Sequence, residues 1–217
     1  GHTRWATHGK PTESNAHPHR SGPIALLHNG IIENFKVLKD QLQNDGYVFS
    51  SETDTEVAVH LIHKAYENKS HIACISERME AAIKEATSKI EGAYAFAIIC
   101  KDLPNSLFAV KQGSPIVLGR GNGENYLASG ITALLDHTDS VSFLEDGDFA
   151  VLSAEDIEIH DAKGNLIRSF SSKSLDIPST NNSLKNEPVL TAKKGLNRFV
   201  WNLRRPNMPT IDNVYIE

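Results

Sequence analysis

The chain has 217 residues, with 22 basic against 27 acidic side chains, a net charge of −5, 40% hydrophobic residues and 23% charged. That length suits one sizeable domain with an appendage, and the acidic balance gives no basic surface for nucleic acid. Cys74 and Cys100 are too few for a disulfide framework and fit free thiols in a reducing, cytoplasmic compartment, and no apolar run nears the roughly 20 residues that span a bilayer.

Residues 1–22, rich in His, Thr, Gly and Pro, read as loop and turn. The chain opens on Gly1 rather than Met, so residue 1 reads as not the natural start. Residues 23–28 form a short apolar run expected to be a buried strand, with Asn29-Gly30 as a turn at its end. Ile32 to Asn44 carries Ile32, Phe35, Leu38 and Leu42 at helical spacing and stops at Asn44-Asp45-Gly46. Thr53-x-x-Glu56 reads as a capping box ahead of a second helix bearing Val57, Ala58, Leu61, Ile62 and Ala65. A third helix is expected over 75–90, with Gly92 ending it. From Ala93 the period becomes that of strands. Ala93–Cys100 is apolar throughout, as in a central strand, and 107–111, 116–118, 126–129, 140–144 and 149–152 follow. Residues 157–160 and 166–170 flank a hairpin turn at 161–164. Helices and strands are segregated in sequence, which predicts an α+β fold. Residues 171–195 read as a polar linker and 196–217 as a short tail that departs from the rest.

Three polar motifs in the first 56 residues carry chemistry. Arg4 offers a planar charged fork for a carboxylate. Asp54 sits at an expected helix N-terminus, where the helix dipole favours a carboxylate that can receive an ammonium group. Asn29 supplies an amide donor and Gly30 a backbone N–H that a ligand can approach, together a candidate oxyanion hole. Arg4 with Asp54 defines an α-amino-acid site, and the implied reaction is acyl transfer on an amino acid such as glutamine. Singly, each residue has an ordinary reading: a solvated arginine, an Asn-Gly turn, a first-turn helix acid. His17-x-His19 and His60-x-x-His63 read as turn and surface residues rather than metal ligands. The glycine-rich 119–125 lacks the Lys-Ser/Thr of a phosphate loop and reads as a hairpin turn.

The run Gly-His-Thr-Arg-Trp-Ala-Thr-His-Gly at 1–9, with Asn15-Ala-His-Pro-His19, His28-Asn-Gly-Ile-Ile-Glu-Asn34, Ser51-Glu-Thr-Asp-Thr-Glu-Val57, Gly92-Ala-Tyr94, Gly113-Ser-Pro115 and Phe143-Leu-Glu-Asp-Gly-Asp148, resembles the glutaminase domain of glutamine–fructose-6-phosphate aminotransferases. These are class-II glutamine amidotransferases. The resemblance covers about residues 1–170 and implies an N-terminal-nucleophile hydrolase-type αββα sandwich, incomplete at the N-terminus. It implies that Arg4, with Thr7 and His8, binds the glutamine α-carboxylate. Asp54 would bind the α-ammonium group, Gly30 would contribute its backbone, Asn29 and the Gly30 N–H would form the oxyanion hole, and Trp5 would gate ammonia passage. Neither a metal nor a cofactor is implied. The implied partners are L-glutamine and a sugar-phosphate isomerase domain, in a homo-oligomeric enzyme with no membrane or nucleic-acid role.

The chain departs from the family in three places. The family's nucleophile is a cysteine at the mature N-terminus, activated by its own amino group, and here residue 1 is Gly. Ala128-Ser129-Gly130 stands where the family usually has Ser-Asp, and residues beyond about 171 leave the family's path. This chain alone is therefore expected to be inactive. The alternatives are a non-catalytic glutamine-binding or interaction module and a non-functional chimeric fragment.

Overall fold

The computed structural model describes residues 9–171. Arg4, Trp5, Thr7 and His8, the linker after residue 171 and the tail at 196–217 lie outside the described residues.

In chain order the elements are β1 (His19–Ser21), β2 (Ile24–Ile32), α1 (Phe35–Asn44), α2 (Asp54–Asn68), α3 (Ile75–Thr87), β3 (Gly92–Cys100), β4 (Leu103–Gln112), β5 (Val117–Arg120), β6 (Asn125–Ala128), β7 (Val141–Phe143), β8 (Phe149–Leu152), β9 (Asp156–His160) and β10 (Leu166–Ser171). Seven strands form one antiparallel sheet in the order β1-β2-β3-β4-β8-β9-β10, and three form a second in the order β6-β5-β7.

Strand alternation divides the large sheet's side chains between two cores. Tyr94, Phe96 and Ile98 of β3, Phe108 and Val110 of β4, and Phe149 of β8 join the apolar residues of the three helices. On the other face, Ala95, Ala109, Ala150, Leu152, Ile157 and Ile159 meet Ile116, Leu118 and Leu144 of the small-sheet layer. Alanines 97, 109 and 150 stand opposite one another across β3, β4 and β8, a row of small side chains under the second sheet. Among the described residues the layers therefore run helices, large sheet, small sheet, an α+β arrangement.

Four expectations are corrected. Residues 19–21 form a strand, because buried His19 and Ser21 alternate with exposed Arg20, a period hidden from any apolar scan. Asn29-Gly30 lies inside the nine-residue β2 rather than in a turn after it. Gly30 does have a positive φ of 140°, but its lack of a side chain serves close packing: a Cβ there would lie 2.1 Å from the Ala93 carbonyl oxygen. α1 starts at Phe35, since Ile32 still pairs with Gly92 in the sheet. α3 ends at Thr87. Asn34 clamps both of these boundaries, donating to the Lys89 carbonyl at 2.9 Å and accepting from the Glu91 N–H at 3.1 Å.

Candidate active site

β1 accompanies β2 only as far as Leu26, which faces His19. Beyond Leu26, β3 is the one strand beside β2 among the described residues, so one edge of β2 turns toward α2 instead. The direction of the backbone groups there follows from two bonds. Glu33 N–H donates toward β3, to the Glu91 carbonyl at 2.8 Å. Ile32 N–H points the other way and donates to Asp54 Oδ2 at 2.9 Å. N–H groups two residues apart on a strand face the same edge, so the Gly30 N–H lies on the Asp54 side, about 6.7 Å along β2 from the Ile32 N–H. The structure thus brings Gly30 and Asp54 to one strand edge. Asn29 is exposed on the sheet face away from α2, one step from that edge.

Asp54 reaches this place because Thr53 caps α2. The Thr53 hydroxyl accepts the Glu56 N–H at 3.4 Å, and Asp54 is the first helical residue, at the positive end of the helix dipole. Its carboxylate is buried, 5% exposed, and Oδ1 lies 3.9 Å from His28 Nδ1. His28 Nδ1 in turn contacts the Thr55 hydroxyl at 3.1 Å, and the same hydroxyl lies 3.0 Å from His17 Nε2.

The contact between α2 and the β1–β2 pair is a polar seam. His19 Nε2 meets the Thr53 hydroxyl at 3.0 Å, and the Ser21 hydroxyl lies between His60 Nδ1 at 2.8 Å and His63 Nδ1 at 2.9 Å. Glu56, 3% exposed, accepts from the backbone N–H and the hydroxyl of both Ser50 and Ser51, at 2.6 to 2.8 Å. Burial would raise its carboxyl, but the facing His60 imidazole and the two serines outweigh burial and hold it well below the usual carboxylate range. His19 and His60 are therefore buried structural partners, not the turn and surface residues expected from sequence. The capping box is also only half formed. Thr53 takes the Glu56 N–H, while the Glu56 carboxylate goes to residues 50 and 51 instead of the cap's own N–H. The signal for this seam was present in the period-two His17-x-His19-x-Ser21 and the helical His60-x-x-His63, but their partners are distant in sequence. Among the described residues no group of three or more His, Cys, Asp or Glu side chains is arranged to hold a metal ion.

Neither cysteine stands near the Asn29–Gly30 edge in a way that suits a nucleophile. Cys74 is exposed ahead of α3. Cys100 is buried at the far end of β3, opposite Ile24, and burial pushes its thiol up. Asn29 faces Ala95, so Cys100 is five strand residues away, about 17 Å. The glycine-rich 119–125 is a hairpin turn between β5 and β6, as read from sequence, closed by Gly121 N–H to the Glu124 carbonyl at 2.9 Å.

A model of the glutamine amidotransferase domain matches residues 2–136, a span that takes in all three polar motifs. The chain belongs to the glutamine amidotransferase family. It is 50% identical over 168 residues to the glutamine–fructose-6-phosphate aminotransferase (isomerizing) of Methanosarcina acetivorans, covering 76% of this chain and 27% of that protein. It is 50% identical over 159 residues to the enzyme of the same name from Acinetobacter baylyi, covering 73% of this chain and 25% of that one. The chain thus spans about a quarter of the length of the curated relatives it matches. Among solved structures it is similar to the glutamine phosphoribosylpyrophosphate amidotransferase of B. subtilis, with 29% identity and a TM-score of 0.56, covering 77% of this chain and 35% of that one. The fold is the N-terminal-nucleophile hydrolase type of class-II amidotransferases, as the sequence motifs implied. No helix among the described residues is long and apolar enough to cross a membrane.

Proposed function

We propose that this chain is the glutamine-binding portion of a glucosamine-6-phosphate-forming amidotransferase, which hydrolyses L-glutamine and delivers ammonia to fructose 6-phosphate. The observation that carries the reading is the Asp54–Ile32 bond, which holds a buried carboxylate on the strand edge shared with the Gly30 N–H. In this reading Asp54 receives the α-ammonium group, and Arg4, with Thr7 and His8, holds the α-carboxylate. The Gly30 N–H and the Asn29 amide receive the side-chain carbonyl oxygen as it becomes an oxyanion. A cysteine thiolate attacks the amide carbon, the nitrogen leaves as ammonia after protonation, and water then cleaves the thioester to glutamate. Cys74 and Cys100 do not fill that role, and the family resemblance implies an N-terminal cysteine as the nucleophile. The chain alone binds glutamine without turning it over. Trp5 gates passage of ammonia to a sugar-phosphate isomerase domain, within a cytoplasmic homo-oligomer that needs no metal or cofactor at this site.

The test compares two preparations supplied with L-glutamine and fructose 6-phosphate. The full native gene product is expected to release glutamate and form glucosamine 6-phosphate, and the 217-residue chain to release no ammonia. Ammonia release by the chain alone would overturn the assignment of the nucleophile. A native product that forms glutamate but no amino sugar would overturn the acceptor.

A further inference from the structure

Glu56, a buried carboxylate two residues from Asp54, has no part in the amidotransferase reading. Its two oxygens accept four hydrogen bonds, all from Ser50 and Ser51. The Ser51 hydroxyl continues to the Thr53 hydroxyl at 3.0 Å and accepts the Thr53 N–H at 3.3 Å. The Thr53 hydroxyl then closes the circuit on the Glu56 N–H at 3.4 Å. The Thr53–Glu56 bond closes a turn whose backbone includes Asp54. The surroundings pin it further: His60 Nε2 stands 3.7 Å from Glu56 Oε1, His19 touches Thr53, and Lys39 Nζ reaches the Ser51 carbonyl at 3.5 Å.

We propose that Glu56 is a positioning residue for the amino-acid site: its carboxylate holds residues 50–53 against the first turn of α2 and so sets Asp54 beside the Ile32 and Gly30 backbone. This rests on the reading of Asp54 as the ammonium partner. Four donors converge on one buried carboxylate, and all four come from Ser50 and Ser51 ahead of the helix rather than from the N-cap N–H that a capping box would use. They join the segment before α2 to the helix itself, so any loosening of residues 50–51 moves Asp54 relative to β2. A neutral amide in place of the carboxylate would present an N–H group to donors and break part of the circuit.

The experiment is a calorimetric titration of the chain with two probes: L-glutamine, and its deaminated analogue lacking the α-amino group. The variants are Glu56→Gln, the milder Ser51→Ala, and Asp54→Asn as the reference, each checked for a cooperative melt. The inference expects Glu56→Gln and Ser51→Ala to weaken L-glutamine by about tenfold or more, while the deaminated analogue changes by less than about twofold. Glu56→Asp, which keeps the charge, should recover part of the lost selectivity. A merely structural role for Glu56 would weaken both probes alike. Equal weakening, or no weakening, in Glu56→Gln and Ser51→Ala while Asp54→Asn remains selective against L-glutamine would overturn the inference alone. Asp54→Asn acting equally on both probes would overturn the ammonium reading and the inference with it. If Glu56→Gln fails to melt cooperatively, Ser51→Ala decides by the same criterion.

Discussion

The helix layer meets the large sheet in two different ways. Toward β3, β4 and β8 the contact is dry and apolar, built from Phe96, Ile98, Phe108, Phe149, Met79 and Ile83. Toward β1 and the open end of β2 it is polar, with His17, His19, Ser21 and His28 facing Thr53, Thr55, Glu56, His60 and His63. The apolar half gains its stability from area removed from water, which tolerates small shifts in position. The polar half holds only while each donor meets its acceptor, so it fixes α2 against β2 in one arrangement, the half that carries Asp54. One interface therefore stabilises the fold, and the other fixes where the first turn of α2 stands against β2.

Four substitutions or probes sharpen that contrast. The largest loss is expected on the apolar side. Phe108→Ala should destabilise by about 3–5 kcal/mol in denaturant melts, with the shape of the stability–pH curve unchanged. Gly30→Ala comes next, combining an unfavourable φ with a clash against the Ala93 carbonyl. Strain alone is worth about 1–3 kcal/mol, read by thermal unfolding, and a fully stable Gly30→Ala chain would contradict the close approach of β2 and β3.

Glu56→Gln should be smaller at neutral pH, about 1–3 kcal/mol, and should differ in kind. A carboxyl held below its ordinary value of 4.5 stabilises the fold above that pH, and the contribution is lost as pH falls below it. The parent chain should therefore lose stability on acidification below about pH 4.5, and Glu56→Gln should flatten that part of the curve. An unchanged slope would remove Glu56 from the account of the polar half. The mildest probe leaves the chain intact: a thiol reagent should modify exposed Cys74 in the native chain and reach buried Cys100 only on unfolding. A glutamine-like electrophile labelling either thiol selectively would contradict their exclusion as nucleophiles.

The apolar half was legible in the sequence because burial leaves a period. Ala93–Cys100 read as a central strand, residues 149–152 matched β8, and the hairpin of β9 and β10 followed from its turn. The polar half left no such mark. β1 buries His19 and Ser21, which no hydrophobic scan distinguishes from a loop. Gly30 reads from sequence as a turn residue, because its contact with Ala93 lies 63 positions along the chain. Asp54 at the start of α2 was readable from the Thr53 cap. Its bond to the Ile32 N–H was not, since that depends on β2 ending beside α2 in space.

Asp54 and the β2 edge are proposed to form an amino-acid site. The most direct measurement is the affinity of the parent chain and Asp54→Asn for L-glutamine by titration calorimetry. The account predicts saturable one-to-one binding by the parent and at least about a tenfold loss in Asp54→Asn with the melt preserved. Equal affinity in the two chains, or no binding by a folded parent, would contradict it.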